Sequence, residues 1–177
     1  MAGMRTSTIT LLFALAAIAL TGACSHSPAP APQEGPTFIV VRHAEKADDS
    51  AKDPPLSEKG LKRAASLADV LSGSRVDAVY ATGYQRTQQT AAPTATAQQV
   101  PVNGYDARQP ADEFVAQLLV AHPSGQVLIV GHSNTVPGIV SALSGQPVEP
   151  MSDDEYGLIH FVRPQDPPGS RIRIQRY

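Results

Sequence analysis

The chain has a single cysteine, no excess of either charge and no apolar run of membrane-spanning length. Each shortage excludes something. Cys24 alone cannot build a disulfide framework. A net charge of -2, with no basic excess, gives no footprint for nucleic acid, and no acidic block forms a solvating tail. The longest apolar stretch, residues 9–20 (ITLLFALAAIAL), is too short to cross a bilayer comfortably. No Walker loop and no GxGxxG fingerprint occurs, and no cysteine, histidine and carboxylate cluster has metal-ligand spacing. No metal and no other cofactor is therefore expected. There is no internal repeat. The 177 residues suffice for one domain with a real core.

The N-terminal segment reads as export machinery rather than fold. Arg5 supplies a positive region, residues 9–20 an apolar one, and Leu20-Thr21-Gly22-Ala23-Cys24 places small residues before a cysteine. That pattern resembles a bacterial lipobox, with Thr21 where an aliphatic residue is preferred. Acylation of Cys24 would also remove the hazard of an unpaired thiol in an exported chain. Residues 25–36 (SHSPAPAPQEGP) read as a proline-rich tether reaching roughly 35 Å at about 3.1 Å per residue. The expected organisation is a signal peptide over 1–23, a lipidated cysteine and tether over 24–36, and one folded domain over 37–177. The expected place is the cell envelope, anchored to membrane through Cys24.

Within the domain, short β-branched runs alternate with helical patterns. Residues 37–41 (TFIVV), 76–80 (VDAVY), 101–105 and 126–130 (QVLIV) read as strands, and 158–162 with 171–175 as a closing hairpin at a sheet edge. Ser57 reads as an N-cap, with Leu56 and Leu61 stapled across it and an apolar stripe of Leu61, Ala64, Ala65, Ala68 and Leu71. A helix over 85–99 should kink or divide at Pro93. Another opens at Pro110, and a last one starts near Asn134 with Pro137 in its first turn. The expected fold is a three-layer α/β/α sandwich with a mainly parallel central sheet and a possible antiparallel edge.

Ligands in such sheets bind beyond the carboxyl ends of strands. Arg42 and His43 follow the first strand, His132 follows the fourth, and Arg86 lies between them in sequence. Two arginines and two histidines gathered there would form a positive pocket suited to a dianionic phosphate. Arginine forks bond two oxygens at once and stay charged, and an imidazole with one free nitrogen can attack phosphorus.

The sequences Val41-Arg42-His43-Ala44-Glu45, Leu56-Ser57-Glu58-Lys59-Gly60, Ala81-Thr82-Gly83-Tyr84-Gln85-Arg86-Thr87 and Gly131-His132-Ser133 resemble, in that order, the signatures of the histidine phosphatase, or phosphoglycerate mutase-like, superfamily. The resemblance implies that His43 becomes a phosphohistidine and that Arg42, Arg86 and His132 hold the phosphoryl oxygens. It also places an acid between Arg86 and His132. The candidates are Asp106, favoured because it follows a short strand, Asp112 and Glu113 at a helix start, and Glu45 by proximity. Lys46 is a possible substrate contact. The chain lacks the long insertions of larger members and looks like a minimal, open-site version.

The expected activity is metal-independent phosphomonoester hydrolysis. Three other readings stand beside it. A serine hydrolase would use Ser133 in Gly131-His132-Ser133-Asn134-Thr135, with Asp153 or Asp154 and His160. A mutase would need a site closed to water. A non-catalytic phosphate-binding lipoprotein would keep the pocket without turnover. The expected partner is a phosphorylated substrate whose identity the sequence does not give.

Overall fold

Residues 38–41 are apolar on both strand faces, a pattern that suits a strand covered on both sides. A computed structural model bears this out. It describes Gly3, 35–47 and 52–177. Apart from Gly3, the signal segment, Cys24 and all of the tether before residue 35 lie outside the described residues, as does part of the charged loop after Lys46. The residues from 35 onward belong to one unit, Pro32–Tyr177.

The elements run β1 (Thr37–Arg42), α1 (Glu58–Leu71), β2 (Ala78–Thr82), α2 (Gln85–Gln98), β3 (Val102–Tyr105), α3 (Ala111–Ala121), β4 (Gln126–Gly131), α4 (Val136–Ser144), β5 (Leu158–Val162) and β6 (Ile172–Arg176). One six-stranded sheet has the order β3-β2-β4-β1-β5-β6. The first four are parallel neighbours, and β5 runs antiparallel to both β1 and β6. The fold is thus the expected α/β sandwich with an antiparallel edge.

Strand alternation divides the core in two. Phe38, Val40, Val127 and Ile129 meet Phe114, Leu118, Ile139 and Leu143 of α3 and α4. Ile39, Val41, Leu128 and Val130 meet Leu67, Leu71, Ala91 and Ala95 of α1 and α2. Sheet residues one apart thus serve opposite layers, which is the two-residue period of a strand.

Three local expectations need correction. Leu61 is 51% exposed, so it does not face the core. The buried stripe of α1 is Gly60, Ala64, Leu67 and Leu71, again at helical spacing. Gly60 sets that rotation: a Cβ there would run into the backbone carbonyl of Glu45. Secondly, α2 continues through Pro93 as one helix. Proline removes one backbone hydrogen bond, but Ala91 and Ala95 on either side are buried in the core and hold the segment in place. Thirdly, β2 starts two residues later than its apolar run and ends on Thr82.

The segment around Gly60 bears on the site as well. Ser57 caps α1 by accepting from Gly60 N at 3.1 Å, its own N–H donates to Glu45 O at 2.9 Å, and Leu56 N–H donates to Gln89 Oε1 at 2.7 Å. This segment therefore fixes the turn that follows His43. Replacing Gly60 with alanine should destabilise the protein by about 2 kcal/mol, as overpacking against rigid backbone does. Chemical denaturation of the variant measures this, and an unchanged midpoint would contradict the assigned contact.

Candidate active site

Parallel pairing brings the site together. Arg42 stands opposite Gly131, and His43 N–H donates to Gly131 O at 2.9 Å. His43 and His132 therefore leave adjacent strands side by side, with ring centroids 5.3 Å apart. Arg86 enters from the first turn of α2. Its Nε lies 3.3 Å from His43 Nε2 and its Nη2 3.4 Å from His132 Nδ1. Arg42, His43, Arg86 and His132 line one cleft of about 320 Å³. The four side chains expected to converge do so.

Hydrogen bonds fix both imidazole tautomers. His43 Nδ1 lies 2.7 Å from the Ala44 carbonyl, which can only accept. Nδ1 therefore carries the proton, and Nε2 keeps its lone pair toward the Arg86 guanidinium. The turn is held in place because Ala44 N–H donates to Thr90 Oγ1 at 3.0 Å, and that hydroxyl donates to Arg86 O at 2.7 Å. In His132 the arginine donates to Nδ1, so Nε2–H donates to Thr82 Oγ1 at 2.9 Å. Thr82 passes its proton to Thr87 Oγ1 at 2.8 Å, and Thr87 donates to backbone carbonyls. Thr82 and Thr87 are buried. His132 Nδ1, beside Arg86, is thus the ring nitrogen that carries the lone pair.

The cations are held differently. Arg42 donates to the Ser152 and Glu155 carbonyls at 2.9 and 3.1 Å, and its guanidinium lies 4.1 Å from the Tyr156 ring centroid. Its Nε is buried with no hydrogen-bond partner among the described residues. A buried donor of that kind is costly unless something accepts from it. Arg86 stacks 4.4 Å from the Tyr84 ring centroid and lies 3.5 Å from Asp53. Burial, with the neighbouring cations, pushes His43 down to about 3 and His132 down to about 4. Both rings are therefore neutral at ordinary pH.

The expected acids fare unevenly. Asp106 is exposed, and its carboxylate is held by Arg108 at 2.9 Å, which keeps it below the usual carboxylate range. It is not brought into the cluster. Burial pushes Glu45 up, but Arg63 and Lys59 outweigh this and hold it down at about 2. Asp112 and Glu113 sit exposed in the first turn of α3, away from the cleft lining. Asp153 is the carboxylate that lines the cleft among the described residues, together with Lys46 and Arg108. Sequence reasoning missed Arg108, Tyr156 and the lining role of Asp153. Only the position of Arg108 just past β3 offered a local signal.

Two further expectations are corrected. Helix α4 begins at Val136, two residues late, and the N–H groups of Thr135 and Val136 donate back to His132 O at 3.1 and 2.9 Å rather than facing the pocket. Gly131 makes this turn possible, since a Cβ there would lie 2.7 Å from Thr135 Oγ1, which caps His132 N–H. Ser133 lines the cleft, but no hydrogen bond joins it to a histidine among the described residues. His160 is buried on β5 with Nδ1 3.3 Å from Val40 O, so no Ser133–His160 relay forms. Among the described residues no group of three or more histidine, cysteine or carboxylate side chains converges as a metal set.

Residues 38–107 match the model of the histidine phosphatase superfamily (branch 1). Over those residues the chain is similar to that superfamily. Three solved structures share its fold. The protein histidine phosphatase SixA, in complex with tungstate, is 19% identical with a TM-score of 0.60, over 78% of this chain and 94% of that one. Bacillus stearothermophilus YhfR is 17% identical with a TM-score of 0.62, over 80% and 96%. A mycobacterial glucosyl-3-phosphoglycerate phosphatase is 15% identical with a TM-score of 0.57, over 79% and 96%. No curated protein matches the chain. The superfamily match supports a hydrolase of the phosphatase class.

The buried neutral histidines give a stability prediction. Their folded values, about 3 and about 4, lie below the ordinary 6.5, so the unfolded chain binds more protons between those limits. Their contribution is whole above pH 6.5 and is lost as pH falls through about 4. The melting temperature should fall across that window. In the His43→Gln/His132→Gln variant the fall should be clearly shallower, and a fall equally steep would contradict the assignment.

Proposed function

We propose that this protein is a metal-independent phosphomonoesterase working through a phosphohistidine at His43. The observation that carries the reading is the locked His43 tautomer. Nδ1–H is committed to Ala44 O, and Nε2 presents its lone pair in front of Arg86, in the cleft that the buried Arg42 also lines.

His43 Nε2 attacks phosphorus as the bond to the ester oxygen breaks. Arg42 and Arg86 receive the charge that spreads over the equatorial oxygens, and His132 adds a third donor when the bound dianion brings a proton to its Nδ1. The leaving alkoxide takes a proton from Asp153, the carboxylic acid lining the cleft among the described residues. Water then attacks the phosphohistidine, the P–N bond breaks, Asp153 takes the water proton, and inorganic phosphate leaves with His43 restored. The rim is wet: the Arg108 side chain is 89% exposed and Asp153 is exposed. Access of water favours hydrolysis over transfer to a second hydroxyl, as a mutase would require. The apolar residues 9–20 and Cys24 support export and attachment to the cell envelope through a lipid on that cysteine.

Turnover of aryl phosphates should persist in EDTA, be inhibited by vanadate, and fall to background in His43→Ala. Asp153→Asn should reduce kcat for alkyl phosphates by about a hundredfold while sparing esters with good leaving groups. Steady-state kinetics on both ester classes checks this, and equal losses on both would remove Asp153 from the proton path.

A further inference from the structure

The end of the sheet opposite the active site carries a second charged surface. Strand β1 enters there, and its six residues at about 3.3 Å each put roughly 20 Å between Thr37 and the histidines. A cleft of about 400 Å³ opens at this end between the start of β1, the start of β4 and the β5–β6 hairpin. Its lining includes Arg163, Arg171 and Arg173, against one carboxylate, Asp166.

The three arginines are arranged by strand pairing. Arg163 N–H donates to Arg171 O at 2.9 Å, and Arg173 stands opposite Phe161 and stacks 3.9 Å from its ring centroid. Arg171 is fixed through Nε to Asp166 O and Nη1 to Ser144 O, both at 2.8 Å. No histidine or cysteine lines this cleft, so it offers binding and no evident chemistry. The tip of the hairpin presents Pro167 and Pro168, both exposed.

The start of the described chain lies at the same end. Gly35 packs against the side chain of Gln165 in the hairpin loop, and Thr37 lines the cleft. Residues 35–37 of the described chain thus lie at the arginine end of the sheet.

We infer that the face formed by Arg163, Arg171 and Arg173 docks on an anionic phospholipid surface, turning the catalytic cleft away from the bilayer. Asp166 lies 3.9 Å from Arg163, so three guanidinium groups meet one carboxylate and leave a net positive face that complements phosphate headgroups. Attraction of this kind falls off within a Debye length and is screened by salt. The inference does not depend on turnover and stands or falls apart from the catalytic reading.

Hydrogen exchange of the full chain on phosphatidylcholine vesicles, with and without phosphatidylglycerol, tests it. Amides of residues 163–173 should slow only when phosphatidylglycerol is present. Arg173→Glu should weaken that slowing about fivefold or more, and added salt should weaken it too, while phosphatase activity in detergent is unchanged. Equal slowing on both vesicles, slowing at the catalytic end instead, or the same slowing from free inorganic phosphate alone would overturn the inference.

Discussion

The parallel pairing of β1 with β4 is the constraint on which the site depends. Because Arg42 lies opposite Gly131, the residues that follow, His43 and His132, emerge together at the carboxyl edge of the sheet. A slip of one residue would turn both strands inside out, since their alternate side chains serve different core layers. The same packing that buries Phe38, Ile39, Val40 and Val41 therefore sets the distance between the two imidazoles. Stability and chemistry are linked through one register.

Around that pair the protein builds an electrostatic site whose histidines are neutral and whose arginines are not. Burial disfavours imidazolium, and the two guanidinium groups add to the effect. Positive charge is thus concentrated on Arg42 and Arg86, while His43 Nε2 keeps a lone pair toward Arg86 in the same cleft. The polar threonines Thr82, Thr87 and Thr90 lock the rings and the α2 turn without contributing charge. Such preorganised donors need no rearrangement when negative charge develops.

Much of this was legible in the sequence because it is local. Strand ends carrying Arg42, His43 and His132 announce themselves by apolar runs followed by polar residues, and a mainly parallel sheet follows from alternation of strands and helices. The rest depends on distant contacts. The face that α1 buries is decided by the approach of Gly60 to the Glu45 carbonyl, which helical periodicity alone cannot see. The continuity of α2 through Pro93 depends on its neighbours in the core. Asp106 was well placed by strand order, but Arg108 two residues on captures its carboxylate. Asp153 sits in a segment with no regular pattern, held over the site because Arg42 bonds the carbonyls of Ser152 and Glu155.

The central claim is that His43 Nε2 takes up the phosphoryl group. Rapid-quench digestion of the enzyme mixed with a labelled phosphate ester locates that group directly. The account predicts an acid-labile, base-stable phosphate on the peptide carrying His43. Label on Ser133, or steady turnover with no covalent phosphate on His43 under single-turnover conditions, would contradict it.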